Sequence, residues 1–330
     1  MRRSLDGRVV VLLGASSGIG RAAAMRFARE GSRVVVAARS KTALDMVVGD
    51  VARAGGEAIA VPCDAAHREE VEALARQAVE TYGRIDVWVN AVGTATYGTF
   101  PNVPPEDFER VVRVNLLSHV WATYAALPHL RESAGTLIGI SSVLGVRAAP
   151  LLTSYSASKF ALRGFYDALR QDLRVDGIPV AVTTILPSSV DTPFFVHARS
   201  FLAKQPQPIA PVYDPDVVAA AIVRAAKSPT REVVVGSAGV SLVALQRLAP
   251  ALSDLLAKPL AAMQHDSRPN PGQDTLYEPF DGAGAVRGGW RGHVSHTSAY
   301  TAAVGQRPWV TRALVTGAGV LAYRRLRRCP

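Results

Sequence analysis

Short apolar runs recur through the first two-thirds of the chain, and each is followed by a longer stretch whose apolar positions fall three and four residues apart. Residues 9–13 are unbroken aliphatics, the pattern of a strand buried on both faces of a parallel sheet. Further strands are predicted over residues 33–38, 58–62, 85–90, 135–141, 179–186 and 232–235. Between them, Ala23 and Phe27, then Leu44, Val47, Val48 and Val51, then Val71, Leu74, Ala75, Ala78, Val79 and Tyr82 mark helices by their buried stripes. Ser40 and Asp214 stand where helix N-caps belong, and Pro104-Pro105 opens a long helix to about residue 130 with Asn115 near its middle. Another helix runs from Tyr155 to about Arg174. Strands alternating with helices imply parallel β-α-β units. The expected fold is therefore an α/β, doubly wound parallel sheet of about seven strands, Rossmann-like, with ligands at the carboxyl ends of the strands.

The alternation stops near residue 240, so residues 1–240 read as one α/β domain and 241–330 as a C-terminal extension. Residues 242–263 have helical spacing interrupted by Pro250 and Pro259, and 267–292, rich in Pro, Gly and Asp, reads as an irregular loop. The formal net charge of +10 sits in this extension. All 27 acidic residues and 29 of the 37 basic ones precede residue 282, and eight arginines follow it. The main domain is nearly neutral, which argues against a nucleic-acid partner. Two cysteines, Cys63 and Cys329, make neither a disulfide framework nor a metal set, consistent with a cytoplasmic protein, and His293 with His296 lacks a third ligand. The N-terminus meets Asp6 before any long apolar run and does not read as a signal peptide.

Two stretches carry chemistry. Gly14-Ala15-Ser16-Ser17-Gly18-Ile19-Gly20 joins the first strand to the first helix, where glycines let backbone approach a pyrophosphate and the helix N-terminus offers free amides. Taken alone, it is equally an ordinary tight turn. Ser154-Tyr155-Ser156-Ala157-Ser158-Lys159 puts a phenol and an ammonium on one helix face. A nearby ammonium favours the phenolate and would move the tyrosine towards neutrality, as a general acid/base requires.

With Asp64 after the third strand, Asn90-Ala91-Val92-Gly93, Asn115, Ser141-Ser142, and Pro187 ahead of Val190 and Thr192, these motifs resemble, in order, those of the short-chain dehydrogenase/reductase family over roughly residues 5–240. The resemblance implies an NAD(P)-dependent oxidoreductase that reduces a carbonyl or oxidises an alcohol. It implies Tyr155 as acid/base, Lys159 as its partner and ribose ligand, Ser142 as the hydroxyl that polarises the carbonyl, and Asn115 as holder of a relay water. It further implies cofactor contacts from Gly14, Ser16, Ser17, Gly18, Ile19, Gly20, Asp64, Asn90, Pro187, Val190 and Thr192. The pattern is not followed everywhere: Leu13 replaces a threonine, Ala91-Val92 interrupts the usual Asn-Asn-Ala-Gly, and Ser188 replaces a glycine. At the end of the second strand, Ala38-Arg39 stands where an acid would select NAD. A guanidinium there favours NADP by pairing with a 2′-phosphate, or lies over the adenine.

Residues 191–213 occupy the place of a substrate lid, and Phe194, Phe195, Phe201 and Leu202 make it apolar, as are Val143, Leu144, Leu151 and Leu152 opposite. An apolar small-molecule substrate is expected. Arg163, Arg170 and Arg174 read as a solvated or subunit-facing edge, which leaves a homo-oligomer open. Residues 309–323, apolar and followed by Arg324, Arg325, Arg327 and Arg328, suit an interfacial membrane helix, one packed on the core or a partner subunit, or a disordered tail. The alternative to catalysis is a non-catalytic NADP-binding regulator or scaffold on the same fold.

Overall fold

The computed structural model describes residues 3–248, 250–280, 282–298 and 301. Seven strands, β1 (Val9–Leu13), β2 (Arg33–Ala38), β3 (Glu57–Pro62), β4 (Val87–Asn90), β5 (Thr136–Ile140), β6 (Ala181–Pro187) and β7 (Glu232–Val235), form one parallel sheet in the order β7-β6-β5-β4-β1-β2-β3. The chain winds outward from β1 through β2 to β3, then crosses back to lay β4 on the other side of β1, with Leu13 opposite Asn90. The two halves part between β1 and β4. A crevice opens there at the carboxyl ends of the strands.

Helices cover both faces. On one lie α1 (Gly18–Arg29), α2 (Lys41–Arg53) and α7 (Pro215–Lys227), which bury Ala23, Phe27, Leu44, Val47, Val218 and Ile222 against Val10, Leu12 and Val34. On the other lie α3 (Arg68–Tyr82), α5 (Ser118–Glu132) and α6 (Thr153–Val175), with Leu74, Ala126, Leu130, Leu162 and Tyr166 against Val9, Val11 and Trp88. Each fully buried large side chain contributes roughly 1.5–3 kcal/mol. Ser40 accepts from the Ala43 amide and Asp214 from the Asp216 amide, so both expected caps form.

Three features differ from the sequence expectation. The long helix around Asn115 is interrupted: α4 (Pro105–Val112) passes through a π-helical turn at Arg113–Leu117 before α5. Asn115 is fully buried, its Oδ1 accepting from the Thr94 amide at 2.8 Å and its Nδ2 donating to the Thr94 carbonyl at 2.9 Å, and this two-point tie to the segment after β4 sits on the widened turn. Arg163 and Arg170 are not a free edge. Arg163 makes a bidentate pair with Glu232 of β7 at 2.6 and 3.0 Å, and Arg170 donates to Thr184 of β6, because the sheet edge beneath α6 carries their acceptors. Finally, the loop expected over 267–292 is irregular from 270 to 292 among the described residues but is anchored by a pairing at each end. His265–Pro269 pairs antiparallel with Lys204–Pro206, and Val294–Ser295 pairs parallel with Val212–Tyr213. Short helices Ser237–Leu248, Pro250–Leu255 and Ala257–Met263 precede it. No helix among the described residues is long and apolar enough to cross a membrane. The tail considered above, residues 309–328, lies outside the described residues.

Candidate active site

The turn from β1 into α1 needs its glycines for steric reasons that the coordinates make explicit. Gly14 has φ +92°, and a Cβ there would lie 2.8 Å from the backbone of Ala91 and Val92. At Gly20 a Cβ would lie 2.0 Å from the Gly14 carbonyl oxygen. The loop is thus folded back on itself tightly enough to bring the start of α1 against β1. The amides of the first helical turn have no intrahelical partners and carry the positive end of the dipole, which suits a pyrophosphate.

This turn borders a single cavity of about 600 Å³ that runs along the carboxyl ends of the strands. Of the residues expected at the cofactor, Gly14, Ser16, Ser17, Gly18, Ile19, Gly20, Arg39, Asp64, Tyr155, Lys159, Pro187, Val190 and Thr192 all line it. Asn90 does not. It is fully buried behind the cavity, where its Oδ1 accepts from the Val92 amide at 3.1 Å and its Nδ2 has no hydrogen-bond partner among the described residues. Because Leu13 lies opposite it, there is no hydroxyl to receive that amide. Ser188 donates to the Val235 carbonyl at 2.9 Å, so the residue in the glycine position ties the loop after β6 to β7.

Tyr155 and Lys159, one helical turn apart on α6, face the same space, with the Lys159 Nζ 5.6 Å from the centre of the tyrosine ring. Lys159 is 2% exposed and its Nζ donates to the Ile140 carbonyl at 3.0 Å. A Cβ placed on Gly93 would lie 3.7 Å from that Nζ and 3.9 Å from the Asn115 Oδ1, which puts lysine and asparagine around one point. Asn115 also donates to Ser158, whose hydroxyl donates to the Tyr155 carbonyl at 2.7 Å. Ser142, just past the end of β5, accepts from the Leu144 amide at 3.0 Å and lines the cavity together with Tyr155. Ser142, Tyr155 and Lys159 thus line one cavity, and Asn115 is buried beside them.

Their protonation differs from the sequence expectation. Desolvation in the cavity pushes the Tyr155 phenol up to about 12, with the Ser142 contact pulling the other way. Desolvation brings the Lys159 ammonium down to about 7. Burial, which disfavours the charged form of both groups, outweighs their mutual attraction.

At the end of the cavity near β2 and β3, Asp64 accepts from the Ala66 amide and from Arg110, and these contacts hold its carboxyl below the usual carboxylate range against the opposing effect of burial. Arg39 is not free, contrary to the simplest expectation from sequence: its two terminal nitrogens donate to the carbonyls of Thr275 and Tyr277, both at 2.6 Å. The irregular segment after residue 270 therefore reaches the rim of the cavity, a relation without any sequence periodicity to announce it. Beyond Tyr155, the lid residues Phe194 and Phe195 pack with Tyr97, Leu151, Leu152 and Leu202. Leu242, Leu260 and Met263 of the extension line the same chamber.

Known proteins place this arrangement in context. The family model described as short chain dehydrogenase matches residues 8–202. An uncharacterised oxidoreductase of Bacillus subtilis, YxnA, is 37% identical over 333 residues, covering 99% of this chain and 92% of its own length, so the likeness runs through the extension. The ketoacyl reductase HetN of Nostoc is 35% identical over 234 residues, 70% of this chain and 79% of its own. Among solved structures, a short-chain dehydrogenase/reductase from Burkholderia phymatum in complex with NAD superposes with a TM-score of 0.69 at 26% identity, covering 76% of this chain and 96% of that one. An alcohol dehydrogenase from Thermococcus sibiricus complexed with 5-hydroxy-NADP gives 0.60 at 26% identity, with 70% and 96% covered.

Proposed function

Because this chain belongs to the short-chain dehydrogenase/reductase family of NAD(P)-binding oxidoreductases, we propose that it interconverts an alcohol and a carbonyl on an apolar substrate with NADP as cofactor. The observation that carries the reading is the convergence of Ser142, Tyr155 and Lys159 on the cavity that begins at the glycine turn, with Asn115 buried beside the lysine.

The turn fits a dinucleotide, since Gly14 and Gly20 let it fold tightly on the chain's own backbone and Gly18, Ile19 and Gly20 at the start of α1 line the cavity, with the Gly18 amide engaged by the Ala285 carbonyl. Bound there, the nicotinamide supplies or accepts a hydride. The protein handles the proton and the oxygen. Ser142 and Tyr155 hold the substrate oxygen between two hydroxyls, which stabilises the negative charge that develops on it. In reduction Tyr155 donates its proton to that oxygen, and a phenol pushed up to about 12 is reliably protonated at neutral pH. Lys159 sits beside the phenol as cation or amine according to pH and binds the nicotinamide ribose. Asn115 acts by position: its side chain is spent on Thr94 and Ser158, so a relay water would be held by the backbone of the π-turn. Selection of NADP rests on Arg39, whose guanidinium has five N–H donors, of which Thr275 and Tyr277 engage two nitrogens. Phe194, Phe195, Leu152, Leu242 and Met263 favour an apolar body attached to the reacting oxygen.

The test is NADPH absorbance loss across a panel of apolar ketones and aldehydes, run beside Tyr155→Phe. Turnover of at least one substrate is expected, with the variant slower by roughly 10²-fold to 10⁴-fold and its NADPH affinity nearly unchanged. A protein that binds NADPH without oxidising it on any substrate would instead be a cofactor-binding scaffold.

A further inference from the structure

Residues 270–293 leave the lid and return to it. The excursion begins after His265–Pro269 pairs with Lys204–Pro206, and it ends where Val294–Ser295 pairs with Val212–Tyr213. Between these anchors the segment crosses to the far end of the cavity and offers its carbonyl oxygens to the cationic rim. Arg39 donates to Thr275 and Tyr277, Arg110 to Leu276 at 3.1 Å, and Arg21 to Ala283 and Gly284 at 2.7 and 3.0 Å. The Gly18 amide, at the start of α1, donates to the Ala285 carbonyl at 2.9 Å. Backbone oxygens thus meet the donors that a phosphorylated ligand would attract.

The segment is also pinned on the nicotinamide side. The amides of Gly288 and Trp290 donate to Asp191 Oδ1 at 3.1 and 3.0 Å, and Arg287 pairs with buried Asp214 at 2.8 Å. Leu276 is 1% exposed. Two contacts are too close for any side chain: a Cβ on Gly284 would lie 2.3 Å from the Ser16 carbonyl oxygen, and one on Gly288 would lie 2.2 Å from that of Thr192. The cavity nevertheless persists, with Thr275, Pro279, Phe280 and Gly282 among its walls together with Gly18 and Asp64. A plug would have filled that space.

We infer that residues 274–280 and 282–290 form a strap that roofs the adenosine half of the dinucleotide site, so that the cofactor enters and leaves only when the strap lifts. The inference rests on the nicotinamide-dinucleotide reading above. A cleft closed by one pinned segment exchanges its ligand slowly, because release must first break the contacts to Arg39, Arg21, Arg110 and Gly18 together. Since both ends of the strap are paired to the lid, the two halves of the cavity open as a coupled unit.

The test is stopped-flow displacement of NADPH, followed by its fluorescence, from the full chain and from Gly284→Val and Gly288→Val, with Arg291→Ala as an exposed control in the same extension. Release is expected to quicken at least tenfold in both glycine variants, with association quickened as well and the control unchanged. In parallel, hydrogen exchange of the unaltered protein is measured with and without NADPH, which needs no variant to fold. Added protection is expected at the amides of residues 274–280 and 282–290. Unchanged release in the glycine variants, or unchanged exchange in the strap on NADPH binding, overturns the strap and leaves the oxidoreductase reading standing. Failure of the unaltered protein to bind either NADPH or NADH overturns both.

Discussion

Taking the Lys159 ammonium out of water leaves it one carbonyl, that of Ile140, as a close hydrogen-bonding partner, and the amine falls from its ordinary 10.5 to about 7. Between those values the unfolded chain binds a proton that the folded chain does not, so this group makes stability rise with pH across the interval. Tyr155 and Cys63 act oppositely, because burial raises both to about 12 and their contributions decline only above their ordinary values of 10.0 and 9.0. The desolvated imidazoles of His119 and His197 are lowered from 6.5 and titrate below the window. Between pH 7 and 9 the lysine is therefore decisive. Urea unfolding should show the wild type gaining roughly 2–3 kcal/mol over this range relative to Lys159→Met. Parallel pH dependences would mean the ammonium is solvated in the folded protein.

At the scale of elements, α6 carries Tyr155 and Lys159, so its attachment to the sheet sets where these two side chains sit in the cavity. Its second turn is fixed at Lys159 by Ile140 of β5 and by the Ser141 hydroxyl, which donates to the Lys159 carbonyl. Its middle is held by Tyr166, whose ring lies where a Cβ on Gly139 would be, 2.0 Å away, and whose hydroxyl bonds His119 at 2.7 Å. The bidentate Arg163–Glu232 pair adds a tie to the edge strand β7. Both side chains are about three-quarters buried or nearly so, at 30% and 24% exposure, so the pair should exceed a solvated ion pair without reaching a buried one. A double-mutant cycle with Arg163→Ala and Glu232→Ala is expected to give about 1 kcal/mol of coupling that weakens in high salt. Coupling indistinguishable from zero would reduce the pair to geometry alone.

For the molecule as a whole, a ligand that binds only the folded state stabilises it by mass action, about 2.7 kcal/mol at one hundred times its dissociation constant. Thermal unfolding with NADPH and with NADH at equal concentration thus reports the preference of the entire enclosed site, including the strap. NADPH is expected to raise Tm more. Arg39→Asp, which removes the phosphate partner and adds a repelling charge, should erase or reverse the difference. Equal shifts in the wild type would show that the Thr275 and Tyr277 carbonyls have taken Arg39 out of cofactor selection.

The linear sequence determined the alternation of elements, because strand burial and helix stripes are local periodicities, and it determined the glycine turn and the Tyr155/Lys159 pair, because their spacing along one element is their spacing in space. The caps at Ser40 and Asp214 were legible for the same reason. Tertiary structure alone decided the remainder. The protonation of Tyr155 and Lys159 depends on water excluded by several elements at once, which no neighbour in sequence reveals. The Asn115 turn widens around a bond to Thr94, 21 residues away. Arg39 meets carbonyls more than 230 residues later, supplied by a segment whose backbone atoms are the same in every sequence and whose path leaves no hydrophobic period to read. Side-chain chemistry is written residue by residue, whereas a backbone carbonyl gains its role only from where the fold carries it.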